Sequence, residues 1–470
     1  MTSTDFIKLA IIGPLFFGLA PVAGLALKGR VAWQRAVFAL MCFMTLNGLL
    51  GPGNWGLTLG SIETYRGHTK GYHFYYNHAL AIALLVAMWL EARSGNRGGG
   101  RFRWLPPGLA GYLGYCAVSL LSIVNAVQPN LVLMTAHKMV FASVIFLAAF
   151  NFLRTTEDLE FLIRVMAVTM TWELLVVLKL KYADGMYQVR GTFEHQNPLA
   201  MYAVLIGMVF LATGLGPRFR GSNLALWGFV ACAVIVQSTL SRAALAMFGG
   251  GTMAVLGISL AERPTARRLG TTAILGVLGA AGLLLTLDTI VARFKDQGNT
   301  ASGELRQVMN EACRQMARDR ALGVGWNHYA LMVNPPYPYA EVYYEWIRGR
   351  GMAVDESKPN AVVESHYYLL LGETGRPGLV AYLLLIGVGL WRNLRAFFGF
   401  GHSFQRCLAL GVGMGCALNY VQSTLERVLV QPRNLMLWLI LFAITARLEV
   451  WRRESRRALR LARETGRAGR

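Results

Sequence analysis

Residues 197–213 read NPLAMYAVLIGMVFLAT, without a single charged side chain. A run of this length is far too long for a strand. It matches the roughly 20 apolar residues that carry a helix across the hydrocarbon core of a bilayer. Outward from it, similar runs lie near 223–240, 243–260 and 270–288, and then near 367–390, 407–425 and 434–450. Toward the N-terminus they lie near 158–178, 131–151, 107–125, 75–91, 33–51 and 7–27. None has the strict alternation of a transmembrane barrel. Runs at the N-terminal end can tilt, re-enter or merge, so the sequence predicts an all-α integral membrane protein with about 12 transmembrane helices. The first run lacks a basic flank and a small-residue cleavage site, and is read as a retained helix.

Composition points the same way. Hydrophobic residues make up 54% of the 470 positions and charged residues 15%, against the ~25% charged that is usual in soluble domains. A chain this apolar cannot cover its surface with polar groups, so lipid is its solvent and membrane lipids are its first partners. A formal charge of +21 would ordinarily raise nucleic acid as a partner. Here the cations sit in short clusters between the apolar runs: Arg93, Arg97, Arg101 and Arg103; Arg218 and Arg220; Arg263, Arg267 and Arg268; Arg392, Arg395 and Arg406. Beyond Trp451 come eight arginines against two glutamates. That is the pattern of cytoplasmic loops under the positive-inside rule. A basic groove with interleaved aromatics is absent, so no nucleic-acid partner is expected.

These clusters set the orientation. With 92–104, 214–222, 261–269, 391–406 and the tail in the cytoplasm, 52–74, 180–196, 241–242 and 289–366 lie outside. The organisation expected is an N-terminal bundle over 1–288, a large periplasmic loop over 289–366, C-terminal helices over 367–450 and a basic cytoplasmic tail over 451–470. The large loop holds nine Lys/Arg and nine Asp/Glu, neutral where the rest is basic, and a loop this long is usually functional with structure of its own. Within it, Leu305, Val308 or Met309, Ala312 and Met316 fall on one face at helical spacing, which predicts an amphipathic helix over 303–321. Gly323-Val324-Gly325-Trp326 is a turn signal, and NPPYPYAEVYYEW (334–346) is expected to be irregular. Its aromatics suit stacking on sugars or anchoring at the headgroup layer. The six cysteines give no disulfide framework and read as packing residues.

Three constellations gather on the outer side. Arg190-Gly191-Thr192-Phe193-Glu194-His195-Gln196-Asn197-Pro198 leads an outer loop into a helix, and Pro198 near the start suits a helix N-terminus with free N–H groups for an anion. Ser241-Arg242 separates two apolar runs. An arginine there is either paired with an anion or snorkels from a helix end. Glu364-Ser365-His366-Tyr367-Tyr368 opens the helix after the large loop, followed by Gly372-Glu373-Thr374-Gly375 and Gly378. A histidine at that junction suits general-base work, and the structural alternative stands beside it. No metal is expected, because HExxH and Cys/His ligand spacings are missing. The phosphate-binding GxxxxGK[ST] motif is missing as well, so neither ATP nor any cofactor is implied.

The order of these motifs resembles the O-antigen ligase/polymerase superfamily. The likeness rests on Arg190-Gly191-Thr192-Phe193 with Asn197-Pro198, on Ser241-Arg242, on the long outer loop closed by Gly323-Val324-Gly325, and on His366 with Glu373-x-Gly375-x-x-Gly378. It is strongest over about 185–380. The resemblance implies a metal-independent, GT-C-like glycosyltransferase in a Gram-negative inner membrane, with its active site facing the periplasm. Its donor would be an undecaprenyl-pyrophosphate-linked O-antigen polysaccharide, and in the ligase branch its acceptor a sugar hydroxyl of lipid A–core oligosaccharide. Carried over by motif, Arg190 and Arg242 would contact the donor pyrophosphate, with Arg306 on the loop helix as a third cation. His366 would activate the acceptor hydroxyl for attack opposite the leaving group, inverting the anomeric centre. His195, Asn197, Glu364 and Tyr367 would support the site. Many members have Asn after this histidine, where this chain has Tyr367.

A repeat-unit polymerase and a protein O-oligosaccharyltransferase share these motifs. The compact size favours the ligase. A transporter or flippase would place charged residues at mid-membrane and repeat one half of the chain in the other; the sequence carries no convincing repeat. A scaffold would tolerate replacement of Arg190, Arg242 and His366.

Overall fold

The computed structural model describes the whole chain except residues 1–2, 47, 51–52, 54, 96–100, 296–297 and 469–470. Arg97 of the first cationic cluster, parts of the run at 33–51 and of the segment at 52–74, and the last two residues of the tail therefore lie outside the described residues. Each apolar run of the sequence coincides with a helical stretch. Among the described residues, eight helices are long and apolar enough to cross a membrane: Thr4–Leu27, Pro129–Phe152, Thr156–Ala183, Gln196–Leu215, Ser222–Thr239, Arg242–Glu262, His366–Gly399 and Pro432–Ala458. Val31–Phe43 and Leu109–Asn125 are apolar but shorter. The first of these falls short because the run opened at 33–51 turns after Phe43.

The run that opens the sequence argument is the centre of the bundle. Gln196–Leu215 is apolar all round, and 94% of its spanning window is buried, as expected of a helix surrounded by other helices. It packs on Ser222–Thr239, Arg242–Glu262 and Phe404–Gln422. Gly411 and Gly415 let the last of these approach closely. A Cβ at Gly415 would meet the Leu205 carbonyl oxygen at 2.4 Å, and one at Gly411 the Val209 Cα at 2.6 Å. This is the small-xxx-small spacing that brings helices together in lipid. At the periphery, Thr4–Leu27 is only 22% buried and turns Phe17, Leu19 and Leu25 outward, a face suited to hydrocarbon.

The arginine clusters converge at one end of the bundle. Arg406 pairs with Glu262 at 2.5 Å. Arg267 donates to the Gly214 carbonyl at 2.8 Å and Arg268 to that of Leu215 at 3.0 Å, neutralising the C-terminal carbonyls of the central helix. The other end of the Arg242–Glu262 helix carries Arg242, which shares a cleft with Gln188, Gln196 and, from the large loop, Arg306.

That loop folds around a core of its own. Its helix runs Gly298–Asp319, as the spacing predicts, and buries Met309, Ala312, Cys313 and Met316 against Val324, Tyr329, Tyr339 and Tyr343. The preceding helix, Ala266–Lys295, continues past residue 288. NPPYPYAEVYYEW becomes regular from Pro338, first as a 3-10 turn and then as the helix Glu341–Gly349. Its tyrosines 339, 343 and 344 are buried. They pack in the loop's core with Met309, Met316 and Met332. Between the first helices, Gly56–Leu59 and Tyr72–Tyr75 form an antiparallel hairpin, a pairing that the 52–74 segment did not announce. All six cysteines are free and buried.

Candidate functional site

The site is built on a break in the helix that begins at His366. Gly375 has φ 67° and ψ −172°, a conformation that only glycine adopts without strain, and Pro377 follows. The carbonyls released by the break are taken by the large loop: Val324 N donates to Gly372 O and Gly325 N to Glu373 O, each at 3.0 Å. The approach leaves no room for side chains. A Cβ on Gly323 would lie 2.4 Å from the Glu373 carbonyl oxygen, and one on Gly375 2.1 Å from that of Ala321. Glu373, 1% exposed, accepts from Asn327 N at 2.8 Å and Tyr329 N at 3.0 Å. Gly-Val-Gly and Gly-Glu-Thr-Gly are thus the two halves of one lock that holds the loop against the helix of His366.

The same carboxylate reaches His68 Nε2 at 3.2 Å. Burial first, then Lys138 and Arg427, holds the His68 imidazole well below its usual range. A neutral His68 that donates through Nε2 leaves Nδ1 to accept, from Thr69 Oγ1 at 3.1 Å or Lys138 Nζ at 3.5 Å. Lys138 is 4% exposed inside the Pro129–Phe152 helix. A cation at that depth needs partners, and its ammonium also donates to Val430 O at 3.3 Å.

His366 is 4% exposed. Its ring meets Tyr382 edge to face at 4.9 Å, and its Nδ1 has no hydrogen-bond partner among the described residues. It lines a narrow cavity of about 20 Å³ together with His68, Lys138, Trp326 and Tyr382, room for about one water molecule. Its backbone N–H donates to Ser423 O at 2.9 Å. Tyr367 donates to the Tyr420 carbonyl at 2.7 Å and so ties two helices together.

A larger cleft, about 460 Å³, opens beside this cavity and contains Asn197, Arg242, Arg306, Gln422 and Glu426. Asn197 and Arg242 stand in the first turns of their helices, so two positive dipole ends meet there. Arg306 is clamped by Glu364 through Nε and Nη2, each at 2.6 Å. Asn197 Nδ2 donates to Glu426 Oε1 at 2.6 Å. Burial, and then the neighbouring Glu364, pushes the Glu426 carboxyl up to about 7. Cations, amides and a carboxyl that titrates near neutrality form a surface able to hold an anion together with hydroxyl groups.

The structure gathers Asn197, Arg242 and Arg306 in this cleft, with Glu364 bound to Arg306 at its edge. It places His366 in the neighbouring cavity. Arg190 is exposed and does not line the cleft. The turn after it is fixed by Glu173, which accepts from Thr192 N at 2.9 Å and Thr192 Oγ1 at 2.8 Å. His195 is likewise exposed and caps the central helix, its Nδ1 accepting from Asn197 N at 3.3 Å. Among the described residues no group of three or more His, Cys, Asp or Glu side chains is placed to hold a metal.

Sequence reasoning missed His68, Lys138, Glu173 and Glu426, and missed what Glu373 does. For Lys138 and Glu173 the signal was present as a lone charge within an apolar run. For His68 there was none, since its partner lies 305 positions away. No family model matches the chain, and no curated protein matches it either.

Proposed function

We propose that the protein is a glycosyltransferase that moves a glycan from a polyprenyl pyrophosphate to an acceptor hydroxyl. The observation that carries this reading is the cleft itself. Arg242, Arg306 and two helix N-termini meet there, at the end of the bundle opposite the arginine clusters, with a histidine behind one wall. Cations at the cleft would hold a pyrophosphate and stabilise the charge it gains as it leaves. His366 lies in the neighbouring cavity, its Nδ1 without a hydrogen-bond partner among the described residues. It would take the proton of the acceptor hydroxyl, as the oxygen bonds to the anomeric carbon, only after the 422–430 turn between cleft and cavity moves aside. Attack from the side opposite the pyrophosphate would invert that centre. Arg190, outside the cleft, would meet the donor only after movement of the 184–195 segment.

Combined with the order of motifs, this supports an O-antigen ligase. The donor would be undecaprenyl-pyrophosphate-linked O-antigen and the acceptor lipid A–core oligosaccharide, at the periplasmic face of a Gram-negative inner membrane. The polymerase, the protein O-oligosaccharyltransferase and the ligase differ in acceptor. The test is therefore to offer the purified protein a lipid-linked polysaccharide with lipid A–core. High-mass lipopolysaccharide supports the ligase. Lengthening of the lipid-linked glycan with lipid A–core untouched supports the polymerase instead. One observation favours a transporter as second reading: Lys138 and Glu173 are charged-type residues buried within spans. That reading expects movement of intact lipid-linked glycan across a vesicle, with no new glycosidic bond.

A further inference from the structure

Arg35, Arg103, Arg154 and Arg447, from four parts of the chain, gather at the C-terminal end of the Pro129–Phe152 span. The last carbonyls of that helix are taken in turn. Phe150 O accepts from Arg447 Nη2 at 2.5 Å and Asn151 O from Arg154 Nε at 2.7 Å. The Asn151 side chain fixes Arg103, accepting from its backbone N–H at 3.0 Å and donating to its carbonyl at 3.1 Å. Asp158 accepts from Arg154 N at 3.2 Å and pairs with Arg35 at 3.6 Å. Arg103 pairs with Glu454 at 3.5 Å, which stands about two turns beyond Arg447 on the same face of the final helix.

Both carboxylates of this patch are engaged. Without Arg154, which has a further contact of its own, Arg35, Arg103 and Arg447 stand against Asp158 and Glu454, one positive charge in excess. Arg447 carries the excess, since it forms no ion pair among the described residues and uses one N–H, on Phe150 O. Capping a carbonyl offsets part of a helix's negative end but leaves most of a five-donor fork unused. The side chain is partly exposed, and its Nη1 is neither buried nor bonded among the described residues. The Arg103–Glu454 pair is open to solvent on both sides, at 43% and 62% exposure. Such a pair contributes little, so Arg103 can exchange Glu454 for a stronger anion. Next to it, Trp104 and Leu105 are 60% and 66% exposed, and Phe102 lies edge-on to the Trp104 ring at 4.7 Å. Aromatic side chains at the end of a span sit at headgroup depth. A soluble anion would meet only the cations; a phospholipid would meet the tryptophan and leucine as well.

We propose that this patch binds an anionic phospholipid, its phosphate held by Arg447 and Arg103 and its acyl chains against Trp104 and Leu105. The single excess charge matches a monoanionic headgroup such as phosphatidylglycerol. The lipid would tie the 101–108 segment and the final helix to the end of the Pro129–Phe152 span. Neither the cleft nor His366 takes part, so the lipid site stands or falls separately from the transferase reading.

The test uses the full chain in detergent and reads lipid affinity by native mass spectrometry, with phosphatidylglycerol and phosphatidylcholine as probes. The proteins are wild type, Arg447→Gln, Arg103→Gln and Arg263→Gln, each checked for its melting temperature. Arg263 is an exposed cation outside the patch, so its variant removes the same charge from elsewhere. Wild type should hold phosphatidylglycerol at least about tenfold tighter than phosphatidylcholine. Arg447→Gln should lose about tenfold and Arg103→Gln about threefold in affinity for phosphatidylglycerol, with Arg263→Gln changed less than about twofold. Equal losses in Arg447→Gln and Arg263→Gln overturn the site in favour of general attraction to a basic surface. Equal affinity of wild type for the two lipids overturns recognition of the anionic headgroup. Where Arg447→Gln does not fold, phenylglyoxal labelling of wild type decides: phosphatidylglycerol should shield Arg447 and not Arg263, and unchanged labelling overturns the assignment. Equal shielding by glycerol 3-phosphate overturns the lipid as occupant and makes the patch a site for soluble anions.

Discussion

Replacing Gly375 by Ala should release the large loop from the helix that carries His366. The new Cβ would sit 2.1 Å from the Ala321 carbonyl oxygen, so the two segments must part. The backbone at φ 67° and ψ −172° adds about 1–3 kcal/mol of strain for a residue with a side chain. Parting loses the bonds from Val324 N and Gly325 N, at about 1 kcal/mol each. Together these amount to about 3–5 kcal/mol, or a rise of at least about a hundredfold in the open population. Amide hydrogen exchange at Val324, Gly325, Asn327 and Tyr329 reads this directly, because all four N–H groups bond to the 372–373 turn or its carboxylate. Gly387→Ala is the control, with nothing within 4 Å of its Cβ. Exchange in Gly375→Ala within about threefold of wild type would refute the lock.

The remaining predictions follow from single contacts. Gly415→Leu drives a side chain into the Leu205 backbone and should lower stability by about 3 kcal/mol or more, read as a drop in melting temperature in detergent. Gly257→Ala, with open space around it, should not lower it. Glu426, held up to about 7, binds more protons when folded than when unfolded between its ordinary range and that value. Stability therefore falls as pH rises from about 5 to 7. Glu426→Gln should flatten the decline, and equal slopes for the two proteins would contradict the assignment. Alkylation after denaturation without reductant should modify all six cysteines, and a shortfall of two would reveal a disulfide.

Periodicity and charge carried most of the fold. A helix in lipid must satisfy its backbone internally, so apolar runs mark helices wherever they occur, and the arginine clusters marked one end of the bundle. The Gly298–Asp319 helix was legible for a related reason, since Met309, Ala312 and Met316 recur at helical spacing toward a core. What stayed hidden depends on distance along the chain. The pairing of Glu373 with His68, and of Asn197 with Glu426 across 229 positions, leaves no local pattern. The tyrosines of 337–344 misled because aromatic side chains look alike whether they face sugar, headgroup or core. Arg190 shows how a motif names a turn before it names a contact: the turn after it is fixed by Glu173, and the arginine itself is exposed and outside the cleft. The position of His366 at the junction of loop and helix is legible in the sequence. Its separation from the cleft by the 422–430 turn is not, because the turn lies about 60 positions further along the chain.

The most direct test of the account is glycan transfer by purified protein in excess EDTA and without nucleotide, comparing wild type with His366→Ala and Arg242→Ala. The account predicts a glycosylated acceptor from wild type and loss of at least about a hundredfold in rate from each variant, with melting temperatures preserved. Transfer at wild-type rate by folded His366→Ala and Arg242→Ala would contradict the roles assigned to them, and no new glycosidic bond from wild type with any of the acceptors would contradict the proposed chemistry.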